Sequence, residues 1–262
     1  MLLLLKLVLV PALIVSASLA GRRWGPLMAG LVASFPLVAG PALLFFAIEQ
    51  GDAFAAQASR GALVALVAVA GSGVAYAWAS LRTPWWVSLT ASWASFVVLT
   101  LALHGRTVAA PWALAAAIAS FVLARALLPA SRGPYARAEP SAWDLPLRTL
   151  SAMAVVLTVT GLARHLGPAL SGAFTPFPVT LGVLLAFTHV QQGSASAIRF
   201  MRGFLPGMWS FAVFCFVAAL AIVPLGGWQG LLLALGCVVP IQAIALWWMR
   251  PTNAGRRGST RS

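Results

Sequence analysis

The sequence predicts an all-α polytopic membrane protein. About nine transmembrane helices are expected in two inverted-topology repeats, five plus four, each with a Pro/Gly-broken helix. Three observations lead there. The chain of 262 residues is 61 % hydrophobic and only 8 % charged, with a mean hydropathy of +0.94. A soluble domain carries about 25 % charged residues, so too little polar surface exists here to cover a water-soluble core. Second, apolar runs long enough to cross about 30 Å of hydrocarbon recur along the whole length. Third, Gly21 to Gly51 returns 142 residues later as Ala163 to Gly193 without a gap. Arg22, Gly25, Pro26, Gly30, Phe35, Pro36, Gly40, Leu43, Phe45, Gln50 and Gly51 each meet their own kind at that offset. Four of these are glycines and two are prolines, residues that set backbone geometry and are poorly explained by apolar composition alone.

The crossings are read at 2–20, 26–48, 61–81, 85–104, 109–129, 146–163, 168–190, 203–225 and 229–249. The first ends in a stretch like a secretory cleavage site, but it lacks a basic region ahead of the apolar run, Lys6 lying inside it. It is therefore expected to be a retained span. Residues 1–130 form the first repeat, 131–145 a cytoplasmic linker rich in Pro, Gly and charge, and 146–250 the second repeat. Residues 251–262 are expected to be a disordered basic tail. The two copies begin five crossings apart, and an odd separation inserts the second copy upside down. The second copy stops one helix short of the first.

Basic residues orient the chain. With Arg22 and Arg23 in the cytoplasm, thirteen Lys and Arg residues fall inside and four, Lys6, Arg60, Arg106 and Arg164, fall outside. That asymmetry follows the positive-inside rule and puts the N-terminus outside and the C-terminus in the cytoplasm. The net charge of +13 thus reads as a topology signal, and no nucleic-acid partner is expected. Cys215 and Cys237 both lie in apolar runs with no disulfide or metal spacing. No metal, cofactor or catalytic residue is indicated, and the hydrolase, metalloprotease and phosphate-loop signatures are absent.

Three groups of residues are candidates for function. Phe35, Pro36, Gly40 and Pro41 interrupt the second crossing near mid-membrane, and Phe177, Pro178, Thr180 and Gly182 interrupt the seventh. Proline removes an intrahelical hydrogen bond. Non-helical backbone at that depth survives only against protein or a polar cavity. Paired breaks in inverted halves mark the substrate site of many carriers. Glu49, Gln50, His189, Gln191 and Gln192 at the polar exits of these helices are candidates for coupling or gating. Arg22 and Arg60 repeat as Arg164 and Arg202, although positive-inside bias gives Arg60 and Arg164 no reason to persist outside. These four are candidates for contact with an anion or a lipid headgroup.

The arrangement resembles inverted-repeat secondary transporters with broken helices, of the bile acid–sodium symporter type. That resemblance implies substrate binding at the breaks and rocking of the two halves about them; the missing tenth crossing departs from the plan. The expected function is a small bacterial inner-membrane carrier moving a small organic or anionic solute by alternating access. Its expected partners are the bilayer, the solute and a coupling ion or proton. The alternative is a non-transporting membrane protein, either a lipid-acting enzyme or an assembly factor, working through Arg22, Arg23 and His165 at headgroup level.

Overall fold

A computed structural model describes residues 2–103, 105, 108–131, 143–165 and 178–248. Among these, every regular element is a helix. They are α1 (Leu2–Trp24), α2 (Pro26–Ala33), α3 (Ala39–Gln50), α4 (Asp52–Ala79), α5 (Trp85–Leu103), α6 (Ala110–Leu127), α7 (Asp144–His165), α8 (Val179–Leu225) and α9 (Gly227–Trp248). Six of them, α1, α4, α5, α6, α8 and α9, contain stretches long and apolar enough to cross a membrane. Large apolar side chains cover the outside, Trp112, Ile48, Trp247 and Val8 being more than two-thirds exposed. Lipid is the solvent that makes such a surface favourable.

Glycine and proline decide where the helices stop. Gly25 (φ 90°, ψ 173°) separates α1 from α2, and Pro26 then occupies the first turn of α2, where a missing N–H does no harm. Gly51 (φ 90°, ψ 162°) separates α3 from α4. Gly193 (φ 79°, ψ 172°) divides α8 into arms covering 179–192 and 194–225. Gly226 (φ 85°, ψ 155°) separates α8 from α9. This corner of backbone space is essentially reserved for glycine. Gly51 and Gly193 stand 142 residues apart with nearly the same dihedral angles, and α5 and α9 begin at residues with the same offset, Trp85 and Gly227. The third and eighth crossings read from sequence are parts of longer helices. The helix expected over 61–81 begins at Asp52, and the one over 203–225 begins directly after Gly193. Similarly α7 starts at Asp144, inside the stretch read as linker. The expected basic tail at 251–262 and most of the linker lie outside the described residues.

Packing gathers around α8, which touches α2, α4, α6 and α9 along much of its length. The core is built from its buried face (Phe200, Met201, Leu205, Met208, Phe214, Cys215 and Ile222) against Leu31, Leu63, Leu66, Phe96 and Val238. At one end of the bundle Trp78 donates to the Leu127 carbonyl at 2.9 Å and Arg202 to the Pro129 carbonyl at 3.2 Å. Tyr76 meets His189 there, and Arg22 meets Asp144. The C-terminal ends of α1, α4 and α6 and the first arm of α8 therefore lie together with the start of α7. At the opposite end of α4, Gly227 packs against Ala47 and Asp52, bringing together the end of α3 and the starts of α4 and α9.

Candidate functional site

The first interruption runs through Ser34–Val38, between α2 and α3. Pro36 is buried there and Phe35 partly so, whereas Gly40, buried, and Pro41, partly buried, were expected in the break but lie in the first turn of α3. Ending α2 at Ala33 leaves its last carbonyls short of partners, and the Leu31 carbonyl shows how one is supplied. It accepts from the Ser34 N–H at 3.3 Å, from Ser34 Oγ at 2.6 Å and from the side-chain amide of Gln242 in α9 at 2.8 Å. Ser210 of α8 donates to the other end of that amide at 2.8 Å. Gln242 is a lone glutamine in the apolar run 230–248, buried and satisfied on both atoms. Gly40 faces the ring edge of Phe214.

Pro178 is the buried, non-helical residue before α8 (φ −79°, ψ 59°), 142 positions after the non-helical Pro36. Phe177 lies outside the described residues. Thr180 is partly buried, and Gly182 is buried against Trp93 Nε1 and Leu89 of α5. The first interruption is thus held by α8 and α9, and the residues following the second are held by α5. Trp209 is 42 % exposed on the outer face of α8.

The exits of the two helices differ. Glu49 and Gln50 are exposed at the end of α3. His189 is partly buried, its Nδ1 3.3 Å from the hydroxyl of the fully buried Tyr76. Gln191 joins a network that the sequence did not indicate. Asp144 accepts from Arg22 Nη2 at 2.9 Å, from Arg148 Nε at 2.7 Å and from the Gln191 amide. Arg148 in turn donates to Gln191 Oε1 at 2.8 Å and lies over the Phe187 ring at 5.2 Å. Asp144 and Arg148 are 6 % and 5 % exposed. Burial pushes the Asp144 carboxyl up, but hydrogen bonds from Arg148, Gln191 and Arg22 outweigh it and hold it below its ordinary value. The acid also sits in the first turn of α7, where the helix dipole favours a negative charge.

Gln192 is partly buried, and its Oε1 has no partner among the described residues. Arg60 is exposed on α4. Arg202 is partly buried and accepts a bond at its own carbonyl from Arg125 at 3.0 Å. Arg164 belongs to α7, but its side chain lies outside the described ones. Of the candidates, the structure brings Arg22 and Gln191 together and leaves Glu49 and Gln50 at the opposite end. Sequence reasoning missed Asp144, Arg148, Gln242 and Tyr76. An acid four residues before an arginine is a helical pairing signal, and a single glutamine inside an apolar run marks a polar contact.

No known family model matches the chain, and no curated protein or solved structure matches it significantly.

Proposed function

We propose that the protein is a small inner-membrane secondary carrier that moves a small organic or anionic solute by alternating access. One observation carries this reading. Pro36 and Pro178 are non-helical at the repeat offset, and the residues beside each are held by the other copy. Leu31, just before the first interruption, is capped by Gln242 of the fourth helix of the second copy. Gly182, just after the second, rests on Trp93 of the fourth helix of the first copy. Reciprocal holding of this kind is what two inverted halves meeting at a central site produce.

On this reading there are nine crossings. α2 and α3 share one, and the segment 168–190 supplies the seventh. The bundle end carrying Arg22, Arg125, Arg148 and Arg202 is cytoplasmic. The meeting of the end of α1 with the start of α7 supports antiparallel first helices, and so an inverted pair. The alternative, a lipid-acting enzyme or assembly factor, works through Arg22, Arg23 and His165, and the commitment of Arg22 to Asp144 weighs against it.

The test is flux. Small organic anions that raise the melting temperature of the purified protein supply the probe, and their uptake is measured in proteoliposomes. Pro36→Leu, Gly40→Leu and Gly182→Leu are expected to abolish uptake while the protein remains monodisperse. Undiminished uptake in all three would remove the breaks as the transport site. An Arg23→Cys protein labelled by an impermeant maleimide from outside intact cells would reverse the orientation.

A further inference from the structure

Where α8 changes direction at Gly193, a cavity of about 390 Å³ opens between α4, α6 and the second arm of α8. Its walls include Trp78 and Leu81 around the end of α4, Pro129 beyond α6, and Ser194, Ala195 and Ile198 of the second arm. Arg202 lies one turn past Ile198 on the same helical face and donates from Nη2 to the Pro129 carbonyl at 3.2 Å. Its Nε is buried with no partner among the described residues. Arg125, bonded to the Arg202 carbonyl, and Arg82, next in sequence to Leu81, are exposed at the same bundle end. None of the three pairs with an acid among the described residues. Asp144 is committed to Arg22 and Arg148, and Glu49 and Asp52 lie at the opposite end. A partly buried guanidinium without an anion is destabilising. The 142-residue offset shows how a similar helix start is neutralised. Arg60 follows Asp52, the acid in the first turn of α4, at the same distance as Arg202 follows Ser194. The start of α4 thus carries its own negative charge, which the helix dipole favours. The second arm of α8 starts instead with a hydroxyl beside a cavity.

We propose that this cavity holds the phosphate of an anionic phospholipid. Arg202 supplies a planar fork suited to phosphate oxygens, and Arg82 and Arg125 add positive charge at the same level. The second arm of α8 begins at the cavity wall with N–H groups that lack intrahelical acceptors. The outer wall explains why the phosphate belongs to a lipid. Trp78 and Leu81 are 55 % and 44 % exposed, and Leu127, whose carbonyl holds the Trp78 indole, is 49 % exposed. An apolar wall beside a cationic floor matches a headgroup whose acyl chains run into the bilayer, and a free phosphate would gain nothing from it. An indole placed like that of Trp78 is a common anchor at the membrane interface. Cytoplasmic leaflets are rich in anionic lipid, so the orientation proposed above puts the cavity on the side where this ligand is found. The site itself does not depend on the carrier reading.

Short-chain phosphatidylglycerol is the probe, titrated into the purified protein in neutral detergent while the melting temperature is followed. A saturable rise is expected for phosphatidylglycerol. None is expected for phosphatidylcholine of the same chain length, or for inorganic phosphate at equal ionic strength. Arg202→Gln is expected to raise the half-saturating concentration roughly ten-fold. Ala195→Leu, which fills the cavity without changing charge, is expected to do the same and serves if Arg202→Gln does not fold. Arg60→Gln, the exposed residue at the equivalent offset, should leave the titration unchanged. An equal response to phosphatidylcholine, equal weakening by Arg60→Gln, or no weakening by either cavity variant overturns the proposal. A saturable response to inorganic phosphate that Arg202→Gln removes would assign the cavity to a soluble oxyanion and overturn the lipid. Solute uptake plays no part in this readout, so failure here and failure of the carrier reading are told apart.

Discussion

Gly30 and Gly203 place the backbones of α2 and α8 in direct contact. A Cβ on Gly203 would overlap the carbonyl oxygen of Leu27, and one on Gly30 would overlap that of Phe200. One turn further along, Gly207 meets Ser34, so the contact is a small-xxx-small crossing of the kind that lets membrane helices approach closely. At Gly30 and Gly203 no side chain can yield, since the opposing atoms are main chain. Gly203→Ala and Gly30→Ala are therefore expected to destabilise the protein by about 1–3 kcal/mol. Gly236→Ala in α9, where a Cβ meets nothing, should be neutral or stabilising by up to about 1 kcal/mol. Melting temperatures in one detergent compare the three; equal effects would refute the close crossing.

Gly51 and Gly193 test a different property of glycine. Neither has any atom within reach of an added Cβ, so a substitution is penalised by backbone conformation alone. Their ψ values of 162° and 172° lie far from the left-handed helical region that asparagine tolerates. Alanine and asparagine at either site should accordingly cost about 1–3 kcal/mol each. An asparagine variant as stable as wild type would show that the turn relaxes into another conformation.

These two pairs show what was legible in the sequence and what was not. The 142-residue recurrence is legible because glycine and proline report backbone geometry directly, and the turns at Gly51 and Gly193 sit at that offset. The boundaries of α4 and α8 were misjudged. Polar residues at 52–60 and 191–199 looked like loops between crossings, yet Asp52 and Ser194 start helices straight after a glycine turn. The Asp144 network was hidden because its members come from three distant segments, and Asp144 lay in a stretch whose Pro and Gly content signalled a loop. Local composition cannot register that a charge will be buried by a helix 47 residues further on.

Asp144 should make stability depend on pH at the acid end. Its carboxyl is held low in the folded protein, against roughly 3.9 when unfolded. The contribution of its ionised form is therefore fully present above about pH 4 and is lost as pH falls through the lower folded value. Melting curves should be flat from neutrality to about pH 5 and then fall, and Asp144→Asn should flatten the acid limb. Asp144→Ala strands Arg148 and is expected to cost about 3–5 kcal/mol. Arg22→Ala removes a partner that is 31 % exposed and screened by solvent, so its cost should stay below about 1 kcal/mol.

Gln242 separates a structural from a functional role at the first interruption. Its amide bridges Ser210 and the Leu31 carbonyl, so Gln242→Leu leaves two buried polar groups without that partner. Neither is left unsatisfied, since Ser210 can donate to the Gly207 carbonyl and the Leu31 carbonyl still accepts from the Ser34 N–H and hydroxyl. A loss of about 1–2 kcal/mol is expected, and Gln242→Glu should cost more, because an ionised carboxyl would be buried without a cation and would face the Leu31 carbonyl. Amide hydrogen exchange reads the outcome locally. Protection should fall across residues 31–40 in Gln242→Leu while the 52–79 helix keeps its own. Unchanged protection across 31–40 would mean that the interruption is held by its proline and packing alone.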